Sequence, residues 1–169
     1  MKITFNVKLG IVAGILNCIA WFAFSKSLGY YSIAIEQYRY YVTLFLLFAG
    51  IFLSIFLERK NSEGYIDFKD AVKTGILFAI TLGLILALFN YLYYKFMAID
   101  AIDYFIGDAR KLMEAEKLKE DEILKYLDTL KSYFGSFRMF MSTVIMGVII
   151  SLLFGAVLRK KKVGSELDN

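Results

Sequence analysis

The chain has 169 residues, of which 59% are hydrophobic, 17% aromatic and 21% charged, and its formal net charge is +4. The absence of histidine excludes histidine-based triads, the common zinc sites and the usual pH switch. The single cysteine, Cys18, excludes an internal disulfide framework. Soluble domains average about 45–50% apolar residues, so the composition favours a membrane protein.

Four uncharged runs organise the chain, namely Leu9–Ser25, Tyr40–Leu57, Thr74–Tyr94 and Met139–Leu158. A helix needs about 20 residues to cross the ~30 Å hydrocarbon core, and flanking residues that snorkel extend the shorter runs to that length. We therefore predict membrane-spanning helices at about 8–28, 38–58, 72–95 and 137–158. The basic start and apolar core of the first run also fit a signal peptide, but a small-x-small cleavage site is missing, which favours a retained span.

The connection between the second and third predicted spans contains a turn and a helix start. Asn61–Gly64 has the composition of a turn. Asp67 is placed to cap the free N–H groups of the next turn, and Asp70 resembles the second half of a capping box. A helix should therefore begin at Asp67 and lead directly into the third span.

The small residues of the third span recur at every fourth position. This ladder comprises Ala71, Gly75, Ala79, Gly83 and Ala87, and the fourth span repeats the pattern at Thr143, Gly147, Ser151 and Gly155. Small residues at this spacing let two helix backbones approach closely in lipid, where the hydrophobic effect does not drive association. We predict that the ladders pack helices together. The sequence leaves open whether the partner helix belongs to the same chain or to a second copy.

The long connection at 96–136 is predicted to form a helical hairpin outside the bilayer. Its apolar residues recur at helical spacing in two stripes. They comprise Ile102, Phe105, Ile106, Ala109, Leu112 and Met113, and then Ile123, Leu124, Leu127, Leu130 and Phe134. The acidic segment Glu120–Glu122 between them is typical of the first turn of a helix. A cation site there is disfavoured because the spacing of a calcium loop is missing.

Two asparagines, Asn17 and Asn90, lie inside predicted spans. We expect each to form hydrogen bonds across helices, worth about 0.6–2 kcal/mol, rather than to bind a polar substrate or an ion. Glu36 and Arg39, three residues apart at the start of the second span, are interpreted as an interfacial ion pair.

No catalytic, cofactor-binding or metal-binding residue is predicted, and the chain is not expected to be an enzyme. The uncharged runs lack the carboxylate that intramembrane aspartyl proteases and proton-coupled exporters need. A phosphate loop, a dinucleotide fingerprint and a nucleophile elbow are also missing. The basic segment Arg159–Lys162 indicates attraction to anionic lipid, and nucleic-acid binding is not expected.

Four spans place both termini on one side of the membrane. Lysines and arginines are equally numerous on the two sides, but those nearest the span ends favour the side of the termini as cytoplasmic. An aromatic belt is expected at the other side, comprising Tyr30, Tyr31, Tyr38, Tyr40, Tyr41, Tyr91, Tyr93 and Tyr94. We therefore expect a multi-pass protein of the inner (cytoplasmic) membrane with cytoplasmic termini and an extracytoplasmic hairpin.

The segment "GYIDFKDAVKTG" at 64–75 resembles the G-x-I-x-F-x-x-A-x-K-x-G signature of a bacterial membrane family catalogued as domain of unknown function 4199. The likeness extends to Lys8–Gly10 at the start of the first span, to the helical insertion before the last span and to the terminal "RKK". Asp67 stands where that family often has Ser or Thr, which preserves a capping side chain. The resemblance implies a four-span inner-membrane protein and supplies no substrate, cofactor or catalytic residue.

The sequence as a whole predicts an all-α fold, an integral membrane four-helix bundle with an extramembrane helical hairpin between spans three and four. Residues 1–169 should form one membrane domain, with 96–136 as an insertion within it. The expected role is structural or protein-interacting. Besides the lipid bilayer, a partner protein or a second copy would dock on the hairpin or on the glycine-lined faces. The alternative is a small transporter or channel subunit acting as an oligomer, which would need a polar path lined by Asn17 or Asn90.

Overall fold

The computed structural model describes residues 3–28 and 33–160, and these residues are almost entirely helical. The elements are α1 Ile3–Leu28, α2 Ile33–Asn61, α3 Phe68–Phe96, α4 Ala101–Ala115, α5 Glu120–Tyr133 and α6 Ser136–Leu158. The described ranges contain no β-strand, and their β-pairing consists of one isolated antiparallel bridge between Ile66 and Lys160. The predicted all-α fold is confirmed.

Four of the helices are long and apolar enough to cross a membrane, at Phe5–Ser27, Gln37–Asn61, Phe68–Phe96 and Ser136–Leu158. The shorter helices α4 and α5 form the hairpin between the third and fourth of them. The helices extend past the uncharged runs, because hydrogen-bonded turns continue through the polar residues at their ends. We call the end of the bundle that carries α4 and α5 the hairpin face, and the opposite end the terminal face.

Helix α3 is the centre of the bundle and contacts α1, α2 and α6, with its most extensive contact on α6. Helix α1 packs on one side of α3 through its own glycines. A Cβ atom added to Gly10 would lie 2.8 Å from Thr81 Cβ, and one added to Gly14 would lie 2.8 Å from Ile85 Cγ2. The two backbones therefore approach as closely as their side chains allow.

The ladder of α3 packs against the ladder of α6 in the same chain. The two run antiparallel, so Gly75 lies opposite Ser151 and Ala79 opposite Gly147. A Cβ atom on Gly75 would lie 2.9 Å from Ile51 Cγ2, so α2 closes over the same seam. The ladder residues buried in this seam are Ala71, Gly75, Ala79, Gly83, Thr143, Gly147, Ser151 and Gly155, whereas Ala87 is half-buried.

Large apolar side chains fill the middle of the bundle. They are Leu47, Ile51, Ile55, Phe78, Leu82, Leu86 and Ile150, all buried in one continuous cluster. Phe78 of α3 reaches α2 at Gly50, where a side chain on the glycine would occupy the position of the phenyl ring. The interior is therefore apolar and closely packed at this level.

The α2–α3 turn is fastened to the end of α6 at the terminal face. Ile66 and Lys160 exchange two backbone hydrogen bonds of 3.0 Å each. Arg59 Nε donates to the Gly64 carbonyl at 3.0 Å, and Gly64 has a φ of 86°, which favours glycine. Asp67 occupies the predicted N-cap position of α3, but its side chain makes no capping hydrogen bond, so the expected capping interaction is wrong.

The close α3–α6 seam predicts a strong position dependence for glycine substitution. In Gly147→Ala the new methyl group would overlap Ala79, and overpacking of this kind costs about 1–3 kcal/mol. Gly107→Ala in α4, where a Cβ meets nothing within 4 Å, is the matched control and should be neutral or stabilising by up to ~1 kcal/mol. Thermal denaturation of the purified variants in detergent measures both. Equal stability of the two variants would contradict the packing.

Candidate functional site at the hairpin face

A buried arginine defines the polar centre of the hairpin face. Arg39 lies inside the second candidate span, yet its side chain turns into the bundle and is 9% exposed. Its Nη1 donates to Asn90 Oδ1 at 3.1 Å, and its Cζ lies 4.6 Å from the centroid of the Trp21 ring. Arg39 thus joins α2 to α3 and α1 by a hydrogen bond and a cation–π contact. The side chain of Glu36, its predicted partner, lies outside the described residues.

Asn90 connects this arginine to the base of the hairpin, where α5 joins α6. Its Nδ2 donates to the Phe134 carbonyl at 2.9 Å and to Ser136 Oγ at 3.1 Å. Phe134 and Ser136 flank the junction between α5 and α6, where helix ends leave backbone groups without intrahelical partners. Asn90 is 2% exposed. One amide therefore holds α2, α3 and the α5–α6 junction together.

Trp21 and Tyr93 form the aromatic wall beside Arg39. Their ring centroids are 4.7 Å apart and both side chains are buried. The Tyr93 hydroxyl donates to Ser25 Oγ at 2.9 Å, and Ser25 Oγ donates to the Trp21 carbonyl at 2.9 Å. Tyr93 was expected in the aromatic belt, but it lies inside the bundle because its hydroxyl finds a partner on α1.

The other tyrosines assigned to the aromatic belt are distributed differently. Tyr38, Tyr40, Tyr41 and Tyr91 are exposed near the hairpin face, as a belt requires, and Tyr94 is half-buried. Tyr30 and Tyr31 lie outside the described residues.

Aromatic stacking fixes the hairpin on this polar centre. The rings of Phe105 in α4 and Phe134 after α5 are stacked at 5.7 Å with an interplanar angle of 4°. Tyr94 of α3 meets Phe134 edge-on at 5.6 Å. The end of the hairpin at Phe134 therefore contacts α3, and Phe105 of α4 is held to it through the stacked ring of Phe134.

Asn17 lies one helical turn deeper than Trp21 on α1. Its Nδ2 donates to Thr43 Oγ1 at 2.8 Å, and Thr43 is one turn after Arg39 on α2. The two asparagines thus lie in successive layers of interhelical hydrogen bonds, both spanning to α2. The ladder residues occupy the α3–α6 seam, which is a separate feature.

Asn6 and Ser54 are among the buried polar residues that sequence reasoning missed. Their side-chain polar atoms have no hydrogen-bond partner among the described residues. An amide near a chain terminus and a serine within an apolar run gave no periodic signal.

The described residues also contain no group of three or more Cys, Asp or Glu side chains that could hold a metal ion. The arrangement at the hairpin face positions the helices relative to one another.

The four apolar helices and their buried interhelical polar bonds define a multi-pass helical membrane protein. The chain belongs to the family described as protein of unknown function (DUF4199), whose family model matches residues 8–160. The resemblance inferred from the 64–75 segment is therefore confirmed. No curated protein and no solved structure matches the chain.

Asn90 and Asn17 offer a matched pair for testing the polar centre. Asn90→Leu removes the bonds to Arg39, Phe134 and Ser136 and should destabilise the fold by about 2–5 kcal/mol, because a buried charge and a buried carbonyl each lose one hydrogen bond. Asn17→Leu removes one bond to Thr43 and should cost about 1 kcal/mol. Thermal denaturation ranks the variants. Backbone hydrogen exchange at residues 134–143 should become faster in Asn90→Leu only. Equally fast exchange at these residues in both variants would contradict the role of Asn90 in holding the α5–α6 junction.

Proposed function

We propose that the protein acts as a structural or interaction module, in which the membrane bundle holds the α4–α5 hairpin as a docking surface for a partner protein. The observation that carries this proposal is a combination of firm anchoring and exposed apolar surface. The base of the hairpin is fixed by the Phe105–Phe134 stack. Its tip carries apolar side chains that nothing in the described chain covers.

The tip contains a groove of about 470 Å³ between α4 and α5. It is lined by Ala109, Leu112, Met113, Glu116, Leu118, Glu122 and Tyr126. Leu112 is 69% exposed and Tyr126 is 53% exposed. Exposed apolar groups gathered in a groove are typical of protein interaction sites. The glutamates at its rim favour a partner helix that carries apolar anchors flanked by basic residues.

The groove exists because some apolar residues of the two predicted stripes are not buried between α4 and α5. Ile123 and Leu127 are buried, whereas Leu112 and Leu124, which belong to the same two stripes, are exposed.

The tip is held by charged contacts. Arg110 bonds Glu114 at 2.8 Å and Glu120 at 2.7 Å, so it bridges α4 and α5. The hydrogen bond to Glu114, aided by the nearby carboxylate charges, raises the pKa of the Arg110 guanidinium above its ordinary value. A guanidinium is charged at any accessible pH, and here it joins the tips of α4 and α5.

The bundle interior supports this role over the transporter alternative. A transport path needs polar groups facing a route through the membrane. Asn17 and Asn90 instead donate to groups on neighbouring elements, and the large side chains in the middle of the bundle form one buried apolar cluster. The glycine ladder of α3 is covered by α6, which leaves the hairpin as the favoured docking surface.

We further propose that the protein resides in the inner (cytoplasmic) membrane with cytoplasmic termini. Basic residues near the terminal face, among them Lys69, Lys73 and Lys160, support this orientation. Lys161 and Lys162 of the basic segment lie outside the described residues.

Site-specific photo-crosslinking tests the docking proposal. A photoreactive residue at Leu112 should yield a discrete protein adduct in native membranes, because this side chain lines the groove. The neighbouring Lys111 has a side chain 79% exposed and lies outside the groove lining, so it is the matched control and should yield little adduct. Tyr126→Glu should abolish the Leu112 adduct by placing a charge in the groove. Adducts to lipid alone would contradict a protein partner.

Cysteine labelling tests the orientation. Cys18→Ser removes the sole cysteine, after which Leu118→Cys in the hairpin and Ser62→Cys at the terminal face serve as a matched pair of exposed positions. A membrane-impermeant maleimide should label the residue at 118 in intact cells and the residue at 62 only after lysis. The reverse pattern would place the hairpin in the cytoplasm.

A further inference from the structure

Polar side chains from three helices form one buried layer in the half of the bundle nearer the terminal face. The neighbouring layer is marked by Phe78. A Cβ atom on Gly10 would lie 3.1 Å from the Phe78 carbonyl oxygen, and one on Gly50 would overlap the Phe78 ring. One helical turn from these residues towards the terminal face lie Asn6 on α1, Ser54 on α2 and Thr74 on α3. All three side chains are 0% exposed.

The hydrogen bond between Asn17 and Thr43 gives the same register for α1 and α2. The two helices run antiparallel. Asn6 lies eleven residues before Asn17, and Ser54 lies eleven residues after Thr43. Eleven residues make about three helical turns, so both side chains return to the same interface. Asn6 and Ser54 therefore lie opposite each other between α1 and α2.

This pair has unused hydrogen-bonding capacity. Asn6 Nδ2, Asn6 Oδ1 and Ser54 Oγ have no partner among the described residues. The amide offers both donors and an acceptor, and the hydroxyl group can donate and accept. Burying such groups without a partner is costly, and in protein interiors water is the ligand that supplies both kinds of bond. The chemistry of the pair therefore matches bound water.

Glu58 lies one helical turn beyond Ser54, towards the terminal face. It falls inside the second candidate span, yet its side chain is only 9% exposed. None of the ion pairs found among the described residues includes it. The neighbouring Arg59 donates instead to the carbonyls of Gly64 and Leu158. Ionisable residues inside membrane spans commonly mark the paths of ions.

We propose that Asn6, Ser54 and Glu58 form a water-filled inlet between α1 and α2, which opens on the terminal face and binds small monovalent cations. Water bonds the amide and the hydroxyl group, and the carboxylate favours a cation over an anion. A singly charged ion balances the single carboxylate. The inlet ends at Phe78, whose ring lies on Gly50, so it does not cross the bundle. It depends on neither the hairpin groove nor a protein partner.

Cysteine accessibility in the purified full-length protein in detergent tests the inlet. In the Cys18→Ser background, Ser54→Cys places a thiol of nearly the same size at the inlet. Ile55→Cys is the matched control, because Ile55 is buried at the same depth but in the apolar cluster. Methanethiosulfonates react with the thiolate, which apolar surroundings suppress. The Ser54→Cys variant should react at least about tenfold faster than Ile55→Cys.

Thermal denaturation of both cysteine variants verifies that they are folded. Equal rates of reaction in the two folded variants would overturn the inlet, as would the absence of reaction in Ser54→Cys.

Reagents of opposite charge test the cation preference. The ethylammonium and ethylsulfonate methanethiosulfonates are similar in size, and their rates are normalised to those of the exposed Ser62→Cys variant. The Ser54→Cys variant should react about tenfold faster with the cationic reagent, because a carboxylate at a cleft concentrates cations. Glu58→Gln should remove this preference. Glu63→Gln, the same change at an exposed glutamate of the terminal face, should leave it intact. A preference that survives Glu58→Gln would overturn the role of Glu58.

Competition by sodium tests the binding of an ion. Sodium chloride should slow the cationic reagent at Ser54→Cys more than choline chloride does at the same ionic strength, because choline is too large for the inlet. In Glu58→Gln the two salts should have the same effect. Equal slowing by the two salts in the presence of Glu58 would overturn the cation site.

Discussion

A polar group that lies among apolar helices must find its hydrogen-bond partner inside the protein, and Asn90 shows how this requirement organises the structure. Its oxygen accepts from Arg39, and its nitrogen donates to Phe134 and Ser136. The amide holds the arginine inside the bundle, and the same side chain bonds the α5–α6 junction. The packing of α2 on α3, the orientation of the hairpin and the position of the buried arginine therefore all depend on the same side chain.

The α3–α6 seam of small residues sets the positions of the helices that carry these polar groups. Lipid tails are as apolar as leucine, so α3 and α6 gain most from close contact between backbones. The antiparallel match of Gly75 with Ser151 and of Ala79 with Gly147 sets the axial register of the two helices. That register brings Asn90, near the end of α3, level with Ser136 at the start of α6. Van der Waals packing along the seam therefore determines which polar groups meet at the hairpin face.

Features encoded by local periodicity could be predicted from the sequence. The four spans, the hairpin helices and the ladder spacing repeat over several turns, so each is visible without knowledge of its neighbours. The inward turn of Arg39 was not predictable in this way, because it depends on an asparagine 51 positions later. Leu112 fits a helical stripe equally well whether or not α5 covers it. Asp67 has the right position for a cap, but its side-chain orientation is a tertiary outcome.

The sequence separation of these contacts has a consequence for biogenesis. Helix α6 is synthesised after the other five described helices, yet it covers the ladder of α3 and supplies the Ser136 partner of Asn90, 46 positions further along the chain. Until α6 enters the membrane, α3 presents a glycine-lined surface and an incompletely bonded amide to lipid. The first three spans are therefore an assembly intermediate with an open face. A chain truncated before residue 136 would offer that face to insertion chaperones and quality-control proteases.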